Sequence, residues 1–141
     1  MYTIDGIHAA MLAVMKASAL KNVCKTIDTY AGEVQDVVDQ ADQLLITPPA
    51  ALLLYGGSTF AGKTGLLQDN FNLVIVYLAK DLRGGKDLEA GMYAMIEAGK
   101  TLHGSNLGLQ ISPLKPVAIR MVKVGKTYSI YQHQIQTFFA A

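Results

Sequence analysis

The stretch Phe71-Asn72-Leu73-Val74-Ile75-Val76-Tyr77-Leu78-Ala79 constrains the fold more than any other part of the chain. A strand with one wet face alternates apolar and polar residues. A nearly unbroken apolar run of strand length reads instead as a strand buried on both faces. The sheet built around it needs cover on two sides. The 141 residues available are one domain's worth of chain, so a single domain over 1–141 is expected. A chain of this length buries roughly 70% of its unfolded surface, enough for an ordinary core without metal or disulfides.

The surrounding pattern supplies the remaining elements. Thr3 can cap a helix reaching about Leu20, with Ile4, Ile7, Met11, Leu12, Met15 and Ala19 on one stripe. Residues 23–30 alternate as a strand ended by Gly32, and 33–45 carry Val34, Val37, Val38, Ala41 and Leu45 at helical spacing. Pro48-Pro49 stops that helix, because neither residue offers a helical N–H. A strand over 50–55 and a glycine-rich loop over 56–65 precede the central run. After the loop 83–86, Asp87 is placed to cap a helix carrying Leu88, Met92, Met95, Ile96 and Leu102, with His103-Gly104 as its stop. Two strands, 117–124 and 127–139, close the chain around a Gly125-Lys126 turn. The fold class expected is α+β: a mixed, mostly antiparallel sheet with two main helices packed on it.

Composition narrows the function classes. The chain is 51% hydrophobic and 16% charged, where soluble domains average about 25% charged. Surplus apolar surface on so small a body points to assembly with a partner. A net charge of +1 argues against a basic nucleic-acid footprint and against a polybasic membrane binder. One cysteine rules out an intrachain disulfide and a cysteine-based zinc cage, and fits a reducing compartment. No apolar run reaches the ~18–20 residues of a membrane helix. Asp5 ahead of the first apolar stretch, with no basic region, does not fit a signal peptide.

One motif suggests chemistry. Gly57-Ser58-Thr59-Phe60-Ala61-Gly62-Lys63-Thr64 satisfies the Walker A pattern, in which backbone N–H groups cradle phosphates at a helix N-terminus. Only residues 65–68 separate Thr64 from Asp69-Asn70 and the next strand, which leaves hardly one helical turn. A parallel crossover needs a dozen residues or more. A hairpin loop that binds no nucleotide is the expectation, with a P-loop-like nucleotide-binding protein as the alternative. His8, His103 and His133 show no metal-ligand spacing and read as structural or surface residues. Cys24 reads as a half-buried thiol, and Asp36, Asp39 and Asp42 as the solvated face of a short helix. The methionine pairs Met11/Met15 and Met92/Met95 read as core. The terminal Phe138-Phe139-Ala140-Ala141 either finishes a strand in the core or docks on a neighbour.

The order and spacing of several segments carry a family likeness. They are the leading helix, Thr29-Tyr30-Ala31-Gly32-Glu33, the Pro48-Pro49 lead into an apolar strand, and Val74-Ile75-Val76-Tyr77-Leu78-Ala79-Lys80-Asp81-Leu82-Arg83. A helix with Gly91, Tyr93 and Ile96 follows, then Pro113-Leu114 and a last strand from Tyr128 to Phe138. In these the sequence resembles the small Mu-type phage family that supplies the tail terminator of contractile-tailed phages. The Walker-like Gly62-Lys63-Thr64 lies outside the pattern of that family.

The resemblance implies a structural virion protein without catalysis and without cofactors or metal. It would be a homohexameric ring capping the tail tube at the neck, ending tube and sheath polymerisation and offering a surface for head joining. Its implied partners are copies of itself, the tail tube protein, the sheath protein and a neck or head–tail connector protein. No membrane and no sequence-specific nucleic acid are implied, although genome DNA passes through the ring lumen. The implied location is the tail and neck of the virion, assembled in the host bacterial cytoplasm; another tail or neck component, of a phage or a tailocin, is the alternative. The interface residues expected are Phe60 and Lys63 in the first glycine loop, Arg83 and Lys86 in the second, and Phe138 and Phe139 at the end.

Overall fold

The computed structural model describes residues 2–41, 46–63, 65–80, 86–124 and 128–141, without the side chains of 86–89 and 124. The elements in chain order are α1 (Ile4–Ala17), a 3-10 turn (Ala19–Asn22), β1 (Thr26–Thr29) and α2 (Val34–Asp39). They continue with β2 (Ala50–Ala61), β3 (Gln68–Lys80), α3 (Lys86–Lys100), β4 (Lys115–Val124) and β5 (Tyr128–Ala140). The five strands form one sheet in the order β1-β2-β3-β5-β4. β1 runs parallel to β2, and the other three pairings are antiparallel. This is the expected mixed α+β class.

The apolar run in β3 is the central strand and is buried on both sides. Leu73, Ile75 and Tyr77 point into one core with Ile7, Met11 and Met15 of α1 and Met92, Met95 and Ile96 of α3. Val74, Val76 and Leu78 point the other way, against Val37 of α2, Ala41, and Leu52 and Leu54 of β2. The strand's two-residue period therefore divides one sequence between two cores. Thr3 caps α1 as expected, its hydroxyl oxygen accepting from the Gly6 N–H at 3.0 Å.

Several expected boundaries move, each for a local reason. The strand expected over 23–30 shrinks to β1 because the N–H groups of Val23 and Cys24 both donate to Leu20 C=O in the preceding turn. Pairing begins where Lys25 and Thr26 donate to Pro49 C=O. The helix expected over 33–45 ends at Asp39 as α2, and residues 42–45 lie outside the described ones. The loop expected over 56–65 is largely strand: β2 runs to Ala61, with its register shifting between Tyr55 and Ser58. Gly57 sits there at φ +88°, a conformation that penalises a Cβ. β4 begins at Lys115 and β5 ends at Ala140, each slightly beyond expectation, while the Gly125-Lys126 turn lies outside the described residues.

Candidate functional site

The β2–β3 hairpin settles the geometry of the Walker-like segment. Gly57 to Ala61 belong to β2, Gln68 pairs back onto Ala61, and Thr64 between them lies outside the described residues. Antiparallel pairing puts β3 where a P-loop needs a helix, so no helix N-terminus faces this turn. Gly62 can make the turn because a Cβ there would meet the Leu66 carbonyl, and its φ of +104° suits glycine.

The hairpin tip instead gathers apolar surface. Phe60 is 62% exposed and Leu66 80%, and Leu67 and Phe138 are also exposed. A groove of about 630 Å³ runs between residues 65–68 and the chain end, lined by Leu66, Leu67, Phe138 and Phe139. The Ala141 N–H donates to Leu67 C=O at 3.0 Å, tying the last residue to the hairpin. Exposed apolar side chains at this end of the protein are ones its own core does not use.

The expected interface residues fall into three groups. Phe60, Lys63 and Phe138 are all exposed toward this end of the sheet, but register puts Phe60 on the face of Asp69 and Phe139, and Phe138 on the opposite face with Asn70. Phe139, one residue further along β5, turns inward and stacks edge-on against Tyr2, with centroids 5.5 Å apart. Arg83 lies outside the described residues, and Lys86 is the first residue of α3 with its side chain outside them.

The interior holds a polar chain that the sequence did not reveal. Two of the three histidines belong to it: His133 Nε2 lies 2.7 Å from His103 Nε2, and His133 Nδ1 lies 2.8 Å from the Tyr77 hydroxyl. The sequence separations of 30 and 56 residues hid this. The β3–β5 ladder and the turn after α3 bring the three side chains together. Only one proton fits between the two Nε2 atoms, so one ring donates and the other accepts. Gly99 makes room for the chain, since a Cβ at that position would collide with the Tyr77 hydroxyl.

These groups are held in their uncharged forms. Burial, then His103 and Lys100, push the His133 imidazole down to about 4. Burial raises the Tyr77 phenol and pushes the Cys24 thiol up to about 11. His103, the neutral His133 and the protonated Tyr77 phenol form a structural hydrogen-bond chain rather than a nucleophile–base pair. Asp36 also has a local role that spacing alone did not give: its Oδ2 accepts from the Glu33 N–H at 2.8 Å, capping α2. Among the described residues, no group of three or more His, Cys, Asp or Glu side chains could hold a metal ion, and no helix is long and apolar enough to cross a membrane.

The family model described as Bacteriophage Mu, Gp37 matches residues 3–140. No curated protein matches the chain significantly.

Proposed function

The chain belongs to the Bacteriophage Mu Gp37 family and is a structural phage protein, and from that premise we propose that it is a tail terminator. Six copies close into a ring on the finished tail tube. The ring ends growth of the tube and of the sheath around it, and presents its other side to the neck. Genome DNA passes through the lumen without sequence readout.

The observation that carries this reading is the apolar end of the sheet. Phe60, Leu66, Leu67 and Phe138 are too exposed to serve this subunit's own core. Their surroundings hold no titratable pair poised for chemistry. Such a surface suits docking on a polymer end, where a few apolar anchors within a polar rim carry most of the affinity. Lys63, on the same turn, adds a cation at the rim. In this assignment Phe60, Lys63 and Phe138 touch the tube or a neighbour. Phe139 holds the strand end beneath them, and Arg83 and Lys86, the latter at the start of α3, add cations.

Deleting the gene tests the role directly. Overlong tails that fail to join heads are expected by electron microscopy; tails of normal length joined to heads would refute it. Phe60→Asp with Lys63→Glu tests the surface. The variant is expected to fold as the wild type and to fail in head joining.

A further inference from the structure

The net charge of +1 conceals a separation of charge across the sheet. Residues 26–62 contain Asp28, Glu33, Asp36, Asp39 and Asp42 and no Lys or Arg, although Lys25 stands just before them. Residues 98–141 contain Lys100, Lys115, Arg120, Lys123 and Lys126 and no Asp or Glu. The first segment builds β1, α2 and all of β2; the second builds β4 and β5. In the strand order β1-β2-β3-β5-β4 these are the two opposite edges.

Register places both sets on one face. Cross-strand partners project from the same side of a sheet. Lys115 pairs with Gln136, Arg120 with Gln132 and Lys123 with Ile130, and Ile130 lies in the core under α2. Gln132 and Gln136 share its side, because they pair with Val76 and Asn72 on β3, in phase with Leu78 opposite Ile130. At the other edge Asp28 pairs with Leu52, which points into the same core. Asp36 and Asp39 lie on α2 itself, which covers that face. All six of these charged residues are exposed.

We propose that the β4 edge of one copy docks against the β1–α2 edge of the next, bringing Lys115, Arg120 and Lys123 over Asp28, Asp36 and Asp39. The occupant is a second copy of this chain, because each edge carries the complement of what the other presents, on the same face. Such a contact is heterologous and repeats head to tail, which the ring reading requires. The proposal rests on that reading for closure, and the charge pairing alone supplies the contact. Pro116 and two register shifts interrupt β4, so it cannot offer an unbroken ladder to an arbitrary strand. Side-chain charge then selects the partner.

Light scattering and sedimentation of the purified full chain, with charge-reversed pairs, test this. The wild type is expected to self-associate at 0.1 M salt and to weaken at 1 M, where the screening length falls from about 10 Å to about 3 Å. Lys115→Glu with Arg120→Glu, or Asp28→Lys with Asp39→Lys, is expected to weaken association at least about 100-fold, a loss of about 2.7 kcal/mol. The two variants mixed one to one are expected to assemble again, because their edges are mutually complementary. A monomeric wild type, variants that assemble as well as the wild type, or a mixture that stays apart would each overturn the proposal. Charge-dependent assembly with normal tails on gene deletion would support this contact and refute the terminator role. Overlong tails with assembly indifferent to these charges would do the reverse.

Discussion

His133 stays neutral in the fold down to about pH 4, and the physical cause is burial beside His103 and Lys100. In the unfolded chain a histidine takes its proton near pH 6.5. Between those values the unfolded state binds the extra proton, so stability falls as pH drops through that window and this group adds no further loss below it. The expected loss is about 2 kcal/mol at pH 5 and about 3 kcal/mol at pH 4, at 1.36 kcal/mol per unit. His103 is lowered too, first by its own burial, and adds in the same direction. Urea midpoints at pH 7, 6 and 5 measure the slope. His133→Asn should flatten it; a wild type equally stable at pH 7 and 5 would refute the assignment. The chain needs Tyr77 and Gly99 as much as the histidines, because the hydroxyl occupies the space a Cβ at 99 would fill.

At the scale of elements, β5 shows how one residue of register separates a buried from an exposed side chain. Phe139 is 7% exposed and packs on Tyr2 and Phe71, whereas Phe138 is 44% exposed on the opposite side of the strand. Phe139→Ala is expected to cost about 3–5 kcal/mol, the range for a buried phenylalanine. Phe138→Ala is expected to stay within about 0.5 kcal/mol by denaturant midpoint while weakening assembly. Equal destabilisation by the two would remove Phe138 from the surface assignment. The sequence showed this pair to be important but left its two roles open, since both residues are apolar and only the pairing of Asn70 with Phe138 and Asp69 with Phe139 sets their sides. Long periodic segments were legible: Ile7, Met11 and Met15 announce α1, and the apolar run announces β3. Features set by distant contacts were not. β2 extends through Gly56 and Gly57 because β3 pairs with it beyond the bulge, and glycine content read locally as a loop. The His–His–Tyr chain joins residues far apart in sequence, so no spacing rule could reveal it. The edge charges were visible as letters, and they gained meaning only when the strand order placed β1 and β4 at opposite ends.

For the whole molecule, a two-faced core and charged edges predict where stability and contact reside. β3 pairs along its full length with β5 and along most of it with β2, and both faces of its apolar run are buried. Its amides open only with global unfolding and should exchange slowest. β1 has four residues and β4 is interrupted twice, and each has a neighbour on one side only. Half their backbone groups face outward, so they should exchange fastest among the strands. Hydrogen exchange of the dispersed protein should therefore rank β3 and β5 above β2, and β2 above β1 and β4. When the chain is concentrated until it assembles, protection should rise at β1, α2 and β4 together, because a head-to-tail contact covers one edge of each partner. The hairpin tip around Phe60 and Leu66 should stay unchanged until tail tube is added. Protection that rose over α1 and α3 instead would place the subunit contact on the helical face and leave the charged edges without a partner in the ring.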